Sequence, residues 1–91
     1  MNTPDLNNLR KEIDKLDRII IVTLKERLSV VNEIGKLKKL QNLPFLNENR
    51  WNEVVKTRLA LARELGVNGD FIKQIFDLIH TEALRIENDS K

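Results

Sequence analysis

Apolar residues recur along the first forty residues at spacings of three and four, the repeat of a helix with one covered face. The stripe reads Leu6, Leu9, Ile13, Leu16, Ile20, Leu24, Arg27, Val31, Ile34 and Lys38. No breaker interrupts it between Asp5 or Asn7, either of which can cap the start, and about Leu40; Gly35 lies inside and costs about 1 kcal/mol relative to alanine. At about 1.5 Å per residue this predicts a rod of roughly 50 Å over residues 6–40. Around Ile19–Leu24 apolar side chains point nearly all the way round, as on a helix covered from several sides.

The run QNLPFLN then breaks the pattern, because Pro44 removes a donor and disfavours helix at Leu43. Asn47 is placed to cap a second helix over 48–65, carrying Trp51, Val54, Val55, Leu61, Ala62 and Leu65, with Gly66 just past its end. After Asn68-Gly69-Asp70 a third helix, 70–88, carries Phe71, Ile72, Ile75, Phe76, Ile79 and Leu84, and ENDSK reads as a frayed polar tail. The pattern predicts one all-α domain over 1–91, with one long helix and two shorter ones. Two short helices cannot cover the apolar surface of such a rod, so a second copy packed long helix against long helix is expected.

Composition narrows the function. A chain of 91 residues with net charge +2 lacks the basic excess of a nucleic-acid binder. Without cysteine and with one histidine it offers neither a disulfide framework nor a thiolate or histidine metal site, so no metal and no cofactor is expected. The longest apolar run, Ile19–Val22, is far too short to span a bilayer, and the N-terminus does not read as a secretory signal; a soluble cytoplasmic protein is expected, without membrane or nucleic-acid partners.

What stands out is cations among apolar residues. In RLSVVNEIGKLKK, Arg27, Val31, Ile34 and Lys38 share one line at spacings of four, three and four. Arg10 precedes them on the same helix and Arg50 opens the second. Taken singly, each fits a side chain that snorkels to water or pairs with a nearby carboxylate, as Arg10 could with Asp14. Taken together, the set suits a small polyanion, since arginine forks match carboxylates. There is no glycine-rich phosphate loop and no triad around His80, which reads as a half-buried helix residue.

The ordered set LRKEIDKLD, KERLSVVNEIGKLKK, the proline loop, NENR and the IF-DLI pattern resembles the all-helical (type II) chorismate mutase family over about Leu9–Glu87. The resemblance implies an intertwined, antiparallel helical homodimer that converts chorismate to prephenate by an intramolecular [3,3] rearrangement in aromatic amino-acid biosynthesis. It implies catalytic roles for Lys38, Glu87 and Arg27, and substrate binding by Arg10, Arg27, Lys38, Asn47, Arg50, Ala83 and Glu87. Arg27 would hold one carboxylate and the neighbouring subunit's Arg10 the other; Lys38 would donate to the ether oxygen, with Arg50 in support. Arg10 and Lys38 lie roughly 42 Å apart along one helix, so a single chain cannot bring both to a small ligand.

Four positions depart from the family's pattern: Asn47 where aspartate is common, Trp51 for glutamate, Ala83 for serine and Glu87 for glutamine. Asn47 reads foremost as a helix cap and Trp51 as a packing residue. A glutamine amide donates at any pH but a carboxylate only when protonated, so catalysis is expected to quicken as pH falls toward protonation of Glu87. Two other functions fit the same scaffold: an isochorismate–pyruvate lyase, and a weakly active regulatory or dimerisation domain of a shikimate-pathway enzyme.

Overall fold

The computed structural model describes residues 5–89. Three α-helices follow one another: α1 (Leu6–Leu40), α2 (Glu48–Leu65) and α3 (Gly69–Asp89). Among the described residues there is no strand, and no helix is long and apolar enough to cross a membrane. Compactness divides the chain into two units, residues 1–30 and 31–91.

The first unit is the N-terminal portion of α1. Of the two candidate caps, Asp5 is the one used: its carboxylate accepts the amide of Asn7 at 3.0 Å, and its carbonyl that of Leu9 at 3.0 Å. None of the described residues in this unit is buried, and only Leu24, Arg27 and Leu28 are half-buried. Leu6, Leu9, Ile13, Leu16 and Ile20, the apolar stripe of the sequence, are all exposed, as is Ile21.

The second unit contains the end of α1 with α2 and α3. Its centre is small: Val31, Gly35, Val54, Ala62 and Ala83 are buried, together with the carboxylate-bearing Glu87. Helices α2 and α3 run antiparallel, since Trp51 meets His80, Arg58 meets Phe76, and Leu59 approaches Gly69. Both helix exits use the same device. Gly66 adopts φ 71°, its amide reaches the Arg63 carbonyl at 3.2 Å, and Val67 reaches Ala62 at 2.8 Å. At the end of α1, Asn42 adopts φ 55°, its amide reaches Lys39 at 3.3 Å, and Leu43 reaches Lys38 at 2.8 Å.

Helix α3 is longer at both ends than the pattern suggests. Asn68 caps it, accepting the amide of Phe71 at 2.9 Å, so the helix begins at Gly69. At its other end the polar tail does not fray at once. Glu87, Asn88 and Asp89 remain helical, with Arg85 bridging to Asp89 at 3.1 Å and Glu87 drawn into the interior. Ser90 and Lys91 lie outside the described residues.

Candidate active site

An ion pair in the second unit joins distant elements. Lys38, in the last turn of α1, places its ammonium 2.8 Å from Oε1 of Glu87 in the last turn of α3. The two side chains are 19% and 7% exposed, whereas the other ion pairs found join residues three or four apart on one helix and are at least 41% exposed. Exposed pairs contribute little; a pair this dry must be matched by good geometry or it is a net cost. Here Lys38 also donates to the Phe45 carbonyl at 2.5 Å, so two acceptors from different elements hold one ammonium.

Beside Lys38 lies a cleft of about 340 Å³, lined by Lys38, Leu43, Pro44, Leu46, Asn47, Glu48 and Asn49. Its size falls within the range of small-ligand sites. The α1–α2 loop makes one wall, and the start of α2 the other. Asn47 stands at the junction with an extended backbone, φ −115° and ψ 100°, and its side chain accepts the amide of Arg50 at 3.0 Å. The capping role expected of Asn47 is therefore present, and its position also faces the cleft.

The other residues to which the resemblance gives a role lie elsewhere in the two units. Ala83 is buried one turn before Glu87. The guanidinium of Arg50 pairs with Glu53 one turn along α2, both side chains exposed. Arg10 is exposed and Arg27 half-buried, both in the first unit. The indole of Trp51 stacks on the ring of His80, centroids 3.9 Å apart and planes 13° from parallel, with the Lys73 ammonium 5.8 Å from the same indole. Trp51 thus serves as a packing residue, as its sequence suggests. His80 has the partner that the sequence does not display, because the pairing depends on the register of α2 against α3. The Phe45 carbonyl was also invisible in the sequence: a backbone acceptor has no residue signature, and only Pro44 next to it marks a fixed turn.

Residues 9–88 match the family description chorismate mutase type II. The chain belongs to that family. Among relatives of this chorismate mutase-type domain is the T-protein of Haemophilus influenzae, 32% identical over 83 residues, which are 91% of this chain and 22% of that protein. The bifunctional chorismate mutase/prephenate dehydratase of Aquifex aeolicus is 38% identical over 80 residues, 88% of this chain and 22% of that enzyme. The 4-amino-4-deoxychorismate mutase of Streptomyces pristinaespiralis is 28% identical over 87 residues, 96% of this chain and 67% of its own length. The chain therefore spans 22% of the first two proteins and two thirds of the third.

Proposed function

We propose that the protein is a chorismate mutase, converting chorismate to prephenate, and that it serves aromatic amino-acid biosynthesis in the cytoplasm. The observation that carries the reading is the buried Lys38–Glu87 pair beside a ligand-sized cleft in a member of this family. The reaction breaks one carbon–oxygen bond and forms one carbon–carbon bond within a single molecule, with no proton transferred and no covalent intermediate. The protein therefore has two tasks: to hold the compact, reactive conformer, and to stabilise the negative charge that grows on the ether oxygen.

Lys38 performs the second task. Its ammonium is fixed before substrate arrives, so little reorganisation is needed when charge develops. Ionised Glu87 accepts from Lys38 and has no proton to offer, so it competes with the substrate for that cation. A neutral amide at this position leaves the ammonium free and is itself a donor at any pH, so Glu87→Gln is expected to raise the rate. Arg27 binds one carboxylate of the substrate and Arg50 supports the site after exchanging Glu53 for the ligand.

The functional unit is a homodimer in which Arg10 of the partner subunit binds the other carboxylate. The exposed apolar stripe from Leu6 to Ile20 supports this, since burying such residues on a second copy contributes about 1.5–3 kcal/mol apiece. Ala83 and Asn47 shape the remaining contacts, Ala83 by leaving room and Asn47 by lining the cleft.

A second reading concerns the substrate's substituent. The relatives whose own length this chain largely spans are named 4-amino-4-deoxychorismate mutases, at 67% and 82% coverage. One experiment tests both. Purified protein and its Arg27→Ala variant are mixed separately with chorismate, 4-amino-4-deoxychorismate and isochorismate, and loss of substrate and appearance of prephenate, its 4-amino counterpart or pyruvate are followed. Turnover that needs Arg27 is the expected result. Turnover of the 4-amino compound alone selects the second reading. Pyruvate release from isochorismate, without prephenate from chorismate, overturns both in favour of a lyase.

A further inference from the structure

The α1–α2 loop does more than connect two helices. An ammonium has three N–H donors on a flexible four-carbon stem. In Lys38 one donor goes to Phe45 of the loop at 2.5 Å and one to Glu87 of α3 at 2.8 Å, which leaves one for a ligand. The backbone of the same lysine is tied to the same loop: its carbonyl accepts the amide of Leu43 at 2.8 Å. Lys38 is thus held to the loop twice, by main chain and by side chain.

The path between those two ties is narrow. Asn42 turns the chain out of α1 at φ 55°, the one positive φ at a non-glycine residue among the described residues. Pro44 then fixes its own φ and disfavours helical backbone at Leu43, and the Phe45 carbonyl that follows meets the ammonium. Asparagine tolerates the left-handed region, glycine enters it freely, and a β-branched residue is strongly disfavoured there.

We propose that this loop is a positioning device for the Lys38 ammonium, with the Phe45 carbonyl as its contact and the left-handed Asn42 as the residue that keeps that carbonyl in place. The proposal rests on the reading of Lys38 as the donor to the substrate's ether oxygen. Asn42 acts through Lys38 and touches no substrate.

Two exits of the same geometry provide an internal control. Gly66 closes α2 with φ 71° and nothing within 4 Å of an added Cβ, away from Lys38 at the other end of α2. A valine there carries the same backbone penalty as a valine at Asn42. We expect Asn42→Val to lower kcat on chorismate about tenfold or more with KM within about twofold, and Asn42→Gly to recover to within about threefold of the parent. Gly66→Val, with a comparable fall in urea midpoint, leaves kcat unchanged.

The second readout needs no turnover. The Lys38 ammonium gives a ¹⁵N–¹H cross-peak when hydrogen bonds slow its exchange with water, and this peak is assigned by its loss in Lys38→Met. It is expected in the parent and in Asn42→Gly and absent in Asn42→Val. Retention of both kcat and cross-peak in Asn42→Val overturns the proposal, as does an equal loss of kcat in Gly66→Val. A parent protein that leaves chorismate untouched overturns the substrate reading; the cross-peak then decides the loop's hold on Lys38 by itself, its survival in Asn42→Val refuting it.

Discussion

Replacing Lys38 by methionine removes a charge and leaves most of the stem's volume, so its effect isolates the ion pair. Two unit charges 2.8 Å apart attract by about 6 kcal/mol at an effective dielectric of about 20. Against this stands the lost hydration of two groups that are 19% and 7% exposed, several kcal/mol each, so the intact pair is close to neutral for stability. Truncation is different. Methionine leaves Glu87 buried with its partner gone and deprives the Phe45 carbonyl of a donor. Breaking a buried pair costs about 3–5 kcal/mol, and the residual exposure of Lys38 places this case near the lower end, about 3 kcal/mol. The assay is urea unfolding at fixed protein concentration, followed by the fluorescence of Trp51, the single tryptophan. Lys38→Met should lower the midpoint by roughly 1–3 M, Glu87→Gln should cost less because Lys38 is the more exposed partner and keeps the Phe45 carbonyl, and Lys38→Met/Glu87→Leu should regain most of the loss. A Lys38→Met protein within about 1 kcal/mol of the parent, or a double variant no better than the single, refutes the description of a dry, mutually dependent pair.

Other perturbations probe the remaining parts. Glu87→Gln, which turns an acceptor beside Lys38 into a donor, should raise kcat/KM for chorismate; an unchanged or lower value contradicts the competition of Glu87 with the substrate for that cation. Glutamate at both Ile13 and Ile20, each 56% exposed, should weaken self-association at least about 100-fold by sedimentation equilibrium. Asn47→Ala removes the hydrogen bond to the Arg50 amide and should cost about 1 kcal/mol in urea unfolding, with Asn47→Asp close to the parent.

The helices were legible because their punctuation is local. Pro44, Asn47 and Gly66 each act on neighbours within a few residues: α1 has ended before Pro44, and α2 starts just after Asn47 and ends just before Gly66. Helix α3 exceeded its expected span because Asn68 caps one end and a tertiary contact, Lys38 to Glu87, orders the other. The site was half legible. Lys38 could be singled out because it shares a helical stripe with Val31 and Ile34. That it would meet Glu87 follows from resemblance, since periodicity says nothing about which helices touch. The pairing of Trp51 with His80 and the use of the Phe45 carbonyl have no sequence signature, because each depends on how separate segments lie against one another.

The short turn between α2 and α3 has a consequence for the order of events in folding. Residues 66–68 close an antiparallel helix pair whose contacts, Leu59 with Gly69 or Arg58 with Phe76, span little sequence, so the entropy lost in forming them is small. Lys38 and Glu87 must instead close a loop that contains that whole pair. The helical hairpin forms early and the ion pair late. Substitutions in the hairpin therefore slow folding, while those at Lys38 and Glu87 speed unfolding and leave the folding rate nearly untouched. The contact that holds the Lys38 ammonium against α3 is thus among the last within the chain to form and the first to be released.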